Sequence, residues 1–159
     1  MKVLIVDDDA VSRKVMRSSC VNLGYKVVEA TNGTEAWDAF QRYPIRIIIS
    51  DWVMPGMDGL ELCRKVRNSP VADYTFFFLV TGKKTDLEDF VTARGVGADD
   101  FIYKPVDFHV LRNQLEVAER MLKLINDEMD KFQRLKAEGL TAQRLKGGKP
   151  SPVEMRDML

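Results

Sequence analysis

The sequence predicts an α/β fold, a parallel sheet sandwiched between two layers of helices, and three observations carry the prediction. Five short apolar runs recur along the chain, and the two richest, Ile45-Arg46-Ile47-Ile48-Ile49 and Phe76-Phe77-Phe78-Leu79-Val80, are close to continuous. A strand with one wet face alternates apolar and polar residues, so near-continuous runs fit strands covered on both faces. Between the runs lie segments with apolar residues at helical spacing, which makes repeated right-handed βαβ units the simplest connection. Finally, the runs end on polar residues, Asp7-Asp8, Asp51, Thr81 and Lys104, and in open α/β sheets the carboxyl ends of the strands are where ligands sit.

Lys2 to Val6 is the first strand. Ser12 to Leu23 then carries Val15, Met16, Ser19, Cys20 and Leu23 at helical spacing, and Gly24 closes that helix, being free to turn left-handed. Lys26 to Ala30 is the second strand; after a turn at Thr31-Asn32-Gly33, a helix runs from Thr34 to Arg42 with Ala36, Trp37 and Phe40 on its apolar side. Ile45 to Ser50 is the third strand. Pro55, Gly56 and Gly59 force a loop before a helix from Leu60 to about Asn68, which stops ahead of Pro70. The fourth strand, Phe76 to Val80, terminates in Thr81-Gly82. Asp86 to Arg94 is a helix with a thin apolar stripe of Leu87, Phe90 and Val91, and Asp100 to Tyr103 is the fifth strand.

From Phe108 to about Lys136 the pattern is one long helix without Gly or Pro. Phe108, Leu111, Leu115, Ala118, Leu122, Ile125, Met129 and Phe132 alternate spacings of three and four, a heptad seam. A helix of about 29 residues is roughly 43 Å long, more than a small sheet can cover. Phe108 to Ala118 are expected to face the sheet, leaving Leu122 to Phe132 as an apolar seam for a second copy of the chain. The expected organisation is a domain over 1–120, a helical extension with coiled-coil character over 121–138 that makes a homodimer or, as the second choice, folds back on the domain, and a flexible or weakly structured tail over 139–159, within which Leu140 to Leu145 offer another helical turn or two.

Composition narrows the function classes. The 159 residues suit one domain with an extension, and 45% hydrophobic against 30% charged residues is globular rather than disordered. With 24 basic and 24 acidic residues the net charge is zero, which gives no reason to expect direct nucleic-acid binding. Met1 to Val6 leads into acidic residues rather than a secretory leader, and no apolar run is long enough for a bilayer, so a cytoplasmic protein without a membrane partner is expected. Cys20 and Cys63 lack metal-ligand spacing and read as buried free thiols.

The chemistry gathers at the strand ends. In a flavodoxin-like strand order 2-1-3-4-5 the first and third strands are neighbours, so Asp7 and Asp8 converge with Asp51 at the topological switch point. Clustered carboxylates repel unless a cation lies among them, and a hard, oxygen-seeking ion such as Mg²⁺ suits the site, with Mn²⁺ a possible substitute. A metal, the Thr81 hydroxyl and the Lys104 ammonium around Asp51 are the parts phosphoryl transfer uses. Asp9, just before a helix, reads as an N-terminal cap, Trp52 equally as a binding aromatic or as a partly exposed packing residue beside the site, and His109 as solvated surface.

Together, Val6-Asp7-Asp8, Ile49-Ser50-Asp51-Trp52-Val53-Met54-Pro55-Gly56-Met57-Asp58-Gly59, Val80-Thr81-Gly82 and Gly97-Ala98-Asp99-Asp100-Phe101-Ile102-Tyr103-Lys104-Pro105 resemble the receiver domain of two-component response regulators, CheY-like proteins, over about residues 1–120. The resemblance implies that Asp51 accepts a phosphoryl group from a histidine kinase or a histidine phosphotransfer protein. It implies that Asp8 binds Mg²⁺ directly, Asp7 directly or through water, and the backbone carbonyl of Val53 as a further ligand. Lys104 would pair with the phosphoryl oxygens, Thr81 would move to hydrogen-bond them, Phe101 would change rotamer with it, and Gly82 would leave the approach to Asp51 open. Val53 and Lys83 occupy positions where side chains guide the hydrolytic water; an apolar Val53 cannot, so a long-lived phosphoryl-Asp51 is expected. Such a domain is a phosphoacceptor switch, not an enzyme acting on other molecules. The competing reading is the N-terminal regulatory fragment of a larger signalling enzyme with a nucleotide cyclase or phosphatase output.

Overall fold

The computed structural model describes residues 1–70, 73–82 and 86–145, with side chains as far as Gly139. Along the chain run β1 (Lys2–Val6), α1 (Ala10–Asn22), β2 (Lys26–Ala30), α2 (Gly33–Arg42), β3 (Ile45–Asp51), α3 (Gly59–Arg67), β4 (Phe76–Thr81), α4 (Leu87–Val96), β5 (Asp100–Tyr103) and α5 (Phe108–Leu145). The five strands are parallel and ordered β2-β1-β3-β4-β5, the flavodoxin-like arrangement expected from the sequence.

Helix starts are fixed by capping rather than by the apolar stripe. The side chains of Asp9, Asn32, Asp58 and Asp86 each accept the backbone N–H three residues on, and Asp107 accepts from His109 and Val110 at the start of α5. Each cap satisfies a donor that has no intrahelical partner and is worth about 1 kcal/mol. This is why α1, α2 and α3 begin one or two residues before the starts at Ser12, Thr34 and Leu60 expected from the apolar spacing. Asp9 is the cap it was expected to be.

Alternation along the strands splits the core in two. Val3, Ile5, Ile47, Ile49, Phe76, Phe78, Val80 and Ile102 point to the face covered by α1 and α5, where Met16, Cys20, Leu111, Leu115, Ala118 and Leu122 meet them. Leu4, Val6, Ile48, Phe77, Leu79 and Phe101 point to the other face, against Ala36 and Phe40 of α2, Leu62, Cys63 and Val66 of α3 and Ala93 of α4. A register shift between Lys2 and Val3 brings Ile45 onto this second face as well. Helices therefore flank the sheet on both sides.

The chain divides into two compact units, Met1–Leu122 and Lys123–Leu159. In the first unit two expectations about the seam are corrected. Leu122 is a core residue, 1% exposed, whereas Phe108 is 37% exposed: Asp107 caps α5 at its first turn, and the sheet is first met at Leu111. On α4, Leu87 and Val91 are exposed and Phe90 and Ala93 face inward, so the stripe is thinner than the sequence suggested. In the second unit Ile125, Met129 and Phe132 are 36%, 50% and 59% exposed. The helix does not stop near Lys136 but continues across Gly139 to Leu145, so 139–145, expected in a flexible or weakly structured tail, are helical. One glycine costs only about 1 kcal/mol relative to Ala, and the helix formers Lys136, Ala137 and Glu138 precede it. Residues 146–159 of that expected tail lie outside the described residues. Among the described residues no helix is long and apolar enough to cross a membrane.

Candidate functional site

Sheet register builds the site. Val6 pairs with Ser50 across β1 and β3, so the next residue on each strand, Asp7 and Asp51, stand side by side. Asp51 pairs with Val80, and Thr81 with Tyr103, which puts Thr81 and Lys104 one step further out on β4 and after β5. The Lys104 backbone N–H donates to the Thr81 carbonyl at 2.9 Å, and the Trp52 N–H to the Val80 carbonyl at 3.0 Å. Main-chain bonds thus hold all the strand ends at one edge.

Carboxylate oxygens of Asp7, Asp8 and Asp51 lie within 4.8 Å of one another. Asp7 is buried, Asp51 half-buried and Asp8 exposed. Lys104 Nζ reaches Asp51 Oδ2 at 3.2 Å and Asp7 Oδ2 at 3.6 Å, while the second oxygen of Asp7 accepts the Asp9 N–H at 2.9 Å. Burial raises the Asp51 carboxyl above its ordinary range; Lys104 opposes that rise and Asp7 adds to it. Burial alone would lower Lys104, but Asp51 and then Asp7 outweigh it, so the ammonium is held more firmly than usual. Among the described residues, one ammonium, that of Lys104, therefore faces three clustered carboxylates.

The loop after Asp51 is shaped by close approach. A Cβ on Gly59 would stand 2.3 Å from the Asp51 carbonyl oxygen and 2.9 Å from Leu79 Cδ2, so only glycine lets α3 start against the end of β3. Gly56 supplies a turn at φ +75. At Gly82 the demand is mild, since a Cβ there would meet Lys104 Cδ at an ordinary 3.5 Å. Phe101 is buried beside this loop: its ring stacks on Trp52 at 6.2 Å, meets Phe90 edge-on at 4.7 Å and has the Arg94 guanidinium 5.8 Å from its centre. Of the two readings of Trp52, packing is the one with a visible contact, its stack on Phe101.

With this geometry in view, the family model of the response regulator receiver domain matches residues 3–116. The chain belongs to the response regulator receiver family. It is 37% identical over 120 residues to a chemotaxis protein CheY homolog of Campylobacter jejuni, covering 73% of this chain and 90% of that one. It is 36% identical over 121 residues to the chemotaxis protein CheY1 of Helicobacter pylori, covering 74% and 95%. The crystal structure of Vibrio cholerae CheY4 superposes with a TM-score of 0.70 at 32% identity, covering 74% of this chain and 97% of that one.

In this receiver every site residue drawn from the sequence except the aromatic one lies at the carboxyl edge: Asp7, Asp8, Asp51, Thr81 and Lys104, with Val53 in the adjoining loop. The Val53 side chain is 64% exposed. Thr81 is buried, and Lys83 lies outside the described residues. Sequence reasoning missed Arg13, whose guanidinium donates to the Asp7 carbonyl at 2.9 Å and pairs with Glu29 at 3.6 Å, pinning the loop that carries Asp7 and Asp8. No spacing rule links positions 7, 13 and 29; only the β1–β2 pairing brings them together. Beside the acidic pocket a cleft of about 230 Å³ opens between α1 and the loop after β5, lined by Val11, Val15, Met16, Pro105 and Val106 together with Asp7 and Lys104.

Proposed function

We propose that the chain is a cytoplasmic phosphoacceptor switch in which Asp51 receives a phosphoryl group from a histidine kinase or a histidine phosphotransfer protein. The observation that carries this reading is the convergence of three carboxylates and one ammonium on a single strand edge, with Lys104 Nζ 3.2 Å from Asp51. Asp51 attacks the donor's phosphorus, the phosphorus–nitrogen bond to the donor histidine breaks, and the imidazole leaves. Lys104 follows the charge onto the new phosphoryl group.

The acidic cluster fits a hard divalent cation. Two oxygens on opposite sides of one Mg²⁺ are about 4.2 Å apart, so the 4.8 Å spread of Asp7, Asp8 and Asp51 closes onto an ion with small side-chain adjustments. Asp8 and Asp51 would hold it, with Asp7 directly or through water and the Val53 carbonyl as a fourth protein ligand. When bound it neutralises charge on the transferring group. The cleft lined by Val11, Val15 and Val106 is where an apolar surface of the donor would rest, next to Asp51.

Phosphorylation adds a charge of about −1.5 to −2. Thr81 and Phe101 are the residues we assign to the response, Thr81 by turning toward the phosphoryl oxygens and Phe101 by leaving its place against Trp52. The organisation we propose is a receiver over 1–122, two residues longer than the 1–120 expected, and a helical extension beginning at Lys123, with Ile125, Met129 and Phe132 as the seam on which two copies join. Intact-mass measurement after incubation with Mg²⁺ and a small-molecule phosphodonor tests the acceptor: one phosphoryl group is gained by the wild type and none by Asp51→Asn, and a gain retained by Asp51→Asn refutes the assignment. Light scattering with and without beryllofluoride tests assembly, since a constant monomer mass would eliminate the seam. An exposed, apolar Val53 orients no water, so the aspartyl phosphate is long-lived; a half-life unchanged in Val53→Asn would count against that.

A further inference from the structure

Among the described residues β5 is an edge strand, paired only with β4, and at Phe101 the outward side of its backbone is held by side chains. The Phe101 N–H donates to Asp100 Oδ1 at 2.8 Å. Gln114 Nε2, from α5, donates to the Phe101 carbonyl at 2.7 Å and to Asp100 Oδ2 at 3.2 Å. These bonds form a closed ring through Asp100 and Gln114 that holds both polar groups of the Phe101 main chain. Gln114 Oε1 is buried without a hydrogen-bond partner among the described residues. An amide whose oxygen gains nothing is placed by what its nitrogen donates to, and turning it over would set oxygen against oxygen at both contacts. The rest of α5 in this unit meets the sheet through Leu111, Leu115, Ala118 and Leu122, contacts that resist separation but carry little direction; a further polar tie of the helix, Glu119 to the Tyr25 hydroxyl, goes to the residue before β2 and not to β5.

We infer that the Asp100–Gln114 ring is the mechanical link between the phosphoacceptor pocket and α5, with Gln114 a positioning residue that acts through Phe101. The inference rests on the proposed reading of the pocket. Phe101 is gripped on both sides, its ring by Trp52, Phe90 and Arg94 and its backbone by Asp100 and Gln114. A displacement of the ring pulls on the backbone, and Gln114 passes it to a helix that apolar packing alone would let slide.

The test uses the full chain with Trp37→Phe, which leaves Trp52 as the sole tryptophan. Trp52 fluorescence on adding Mg²⁺ and beryllofluoride reads pocket occupancy, and hydrogen exchange over residues 112–122 reads α5. In the parent both respond. Gln114→Met keeps the size of the side chain and loses its donors; Asp100→Asn brings its own N–H₂ against the Gln114 amide. Both variants should bind beryllofluoride within about threefold of the parent and lose the exchange response of α5. An α5 response that survives in the two variants with the pocket occupied overturns the inference. Absence of any Trp52 response in the parent would instead sink the reading of the pocket, and this inference with it.

Discussion

The two ends of β4 carry two charge clusters built on opposite principles. At its amino end, near Thr75 to Phe77, Arg67 donates to the carbonyls of Gly97 and Thr75 at 2.9 and 2.6 Å and to Asp99 at 2.8 Å, while its guanidinium lies over the Tyr74 ring. Asp99 also accepts the Tyr74 hydroxyl at 2.5 Å and the Phe77 N–H at 2.8 Å. Arg67 and Asp99 are both engaged on several sides, and the cluster balances one positive against one negative charge. At its carboxyl end Asp7 and Asp51 share Lys104, and a third carboxylate, Asp8, lies within 4.8 Å of theirs. A buried polar network that is fully satisfied rigidifies a fold, whereas one left short of charge waits for a ligand.

The same substitution should therefore have opposite signs at the two ends. Removing Arg67 leaves the half-buried Asp99 without its cation, so Arg67→Met is expected to cost about 3 kcal/mol and Asp99→Asn about 2 kcal/mol in urea unfolding at pH 7. Either variant within 0.5 kcal/mol of wild type, on the order of an ordinary surface change, would mean that the amino-terminal cluster is no brace.

Asp51→Asn, in contrast, should stabilise the metal-free protein by about 1 kcal/mol, because it removes one of several repelling carboxylates. The pH dependence follows from the raised Asp51 carboxyl. A group that binds its proton more tightly folded than unfolded opposes folding when ionised; that penalty is absent below its ordinary value of 3.8 and complete above the raised folded value. The difference between Asp51→Asn and wild type should thus be largest near neutrality and shrink as pH falls toward 3.8. Added Mg²⁺ should raise the wild-type midpoint more than that of the variant. A variant less stable than wild type at pH 7 without metal would break the contrast.

The carboxyl-terminal cluster was legible in the sequence and the amino-terminal one was not, for a physical reason. Asp7, Asp51, Thr81 and Lys104 each end an apolar run, so strand order alone brings them to one edge, and the same runs give the layers of the fold. Arg67, Tyr74 and Asp99 lie on a helix end, a loop and a strand approach; nothing in periodicity pairs a cation with an anion across 32 positions. Gly97 was the available signal: its φ of +118 turns the chain, and a Cβ there would stand 2.8 Å from Arg67 Cγ. The seam shows the same limit, since heptad spacing names Phe108 and Leu122 equally while the edge of the sheet decides which is covered.

The smallest expected effect concerns the thiols, which report on the contrast locally. Cys20 and Cys63 are fully buried, and burial pushes them up to about 12 and about 11. At pH 8 a thiol near 11 is only about one part in a thousand thiolate, so labelling of either one by a thiol reagent should require opening of the structure. Cys63 sits on α3 one turn before Arg67, and in the core on the α2–α4 side, whereas Cys20 lies on α1 across the sheet. If the Arg67–Asp99 network braces its own end, Arg67→Met should speed labelling of Cys63 by about tenfold more than that of Cys20, a local opening made easier by about 1.4 kcal/mol. Asp51→Asn should speed neither. Equal acceleration of the two thiols in Arg67→Met would mean that the network supports the whole sheet, and the distinction between a closed brace and an open, charge-hungry edge would then lie in ligand binding alone.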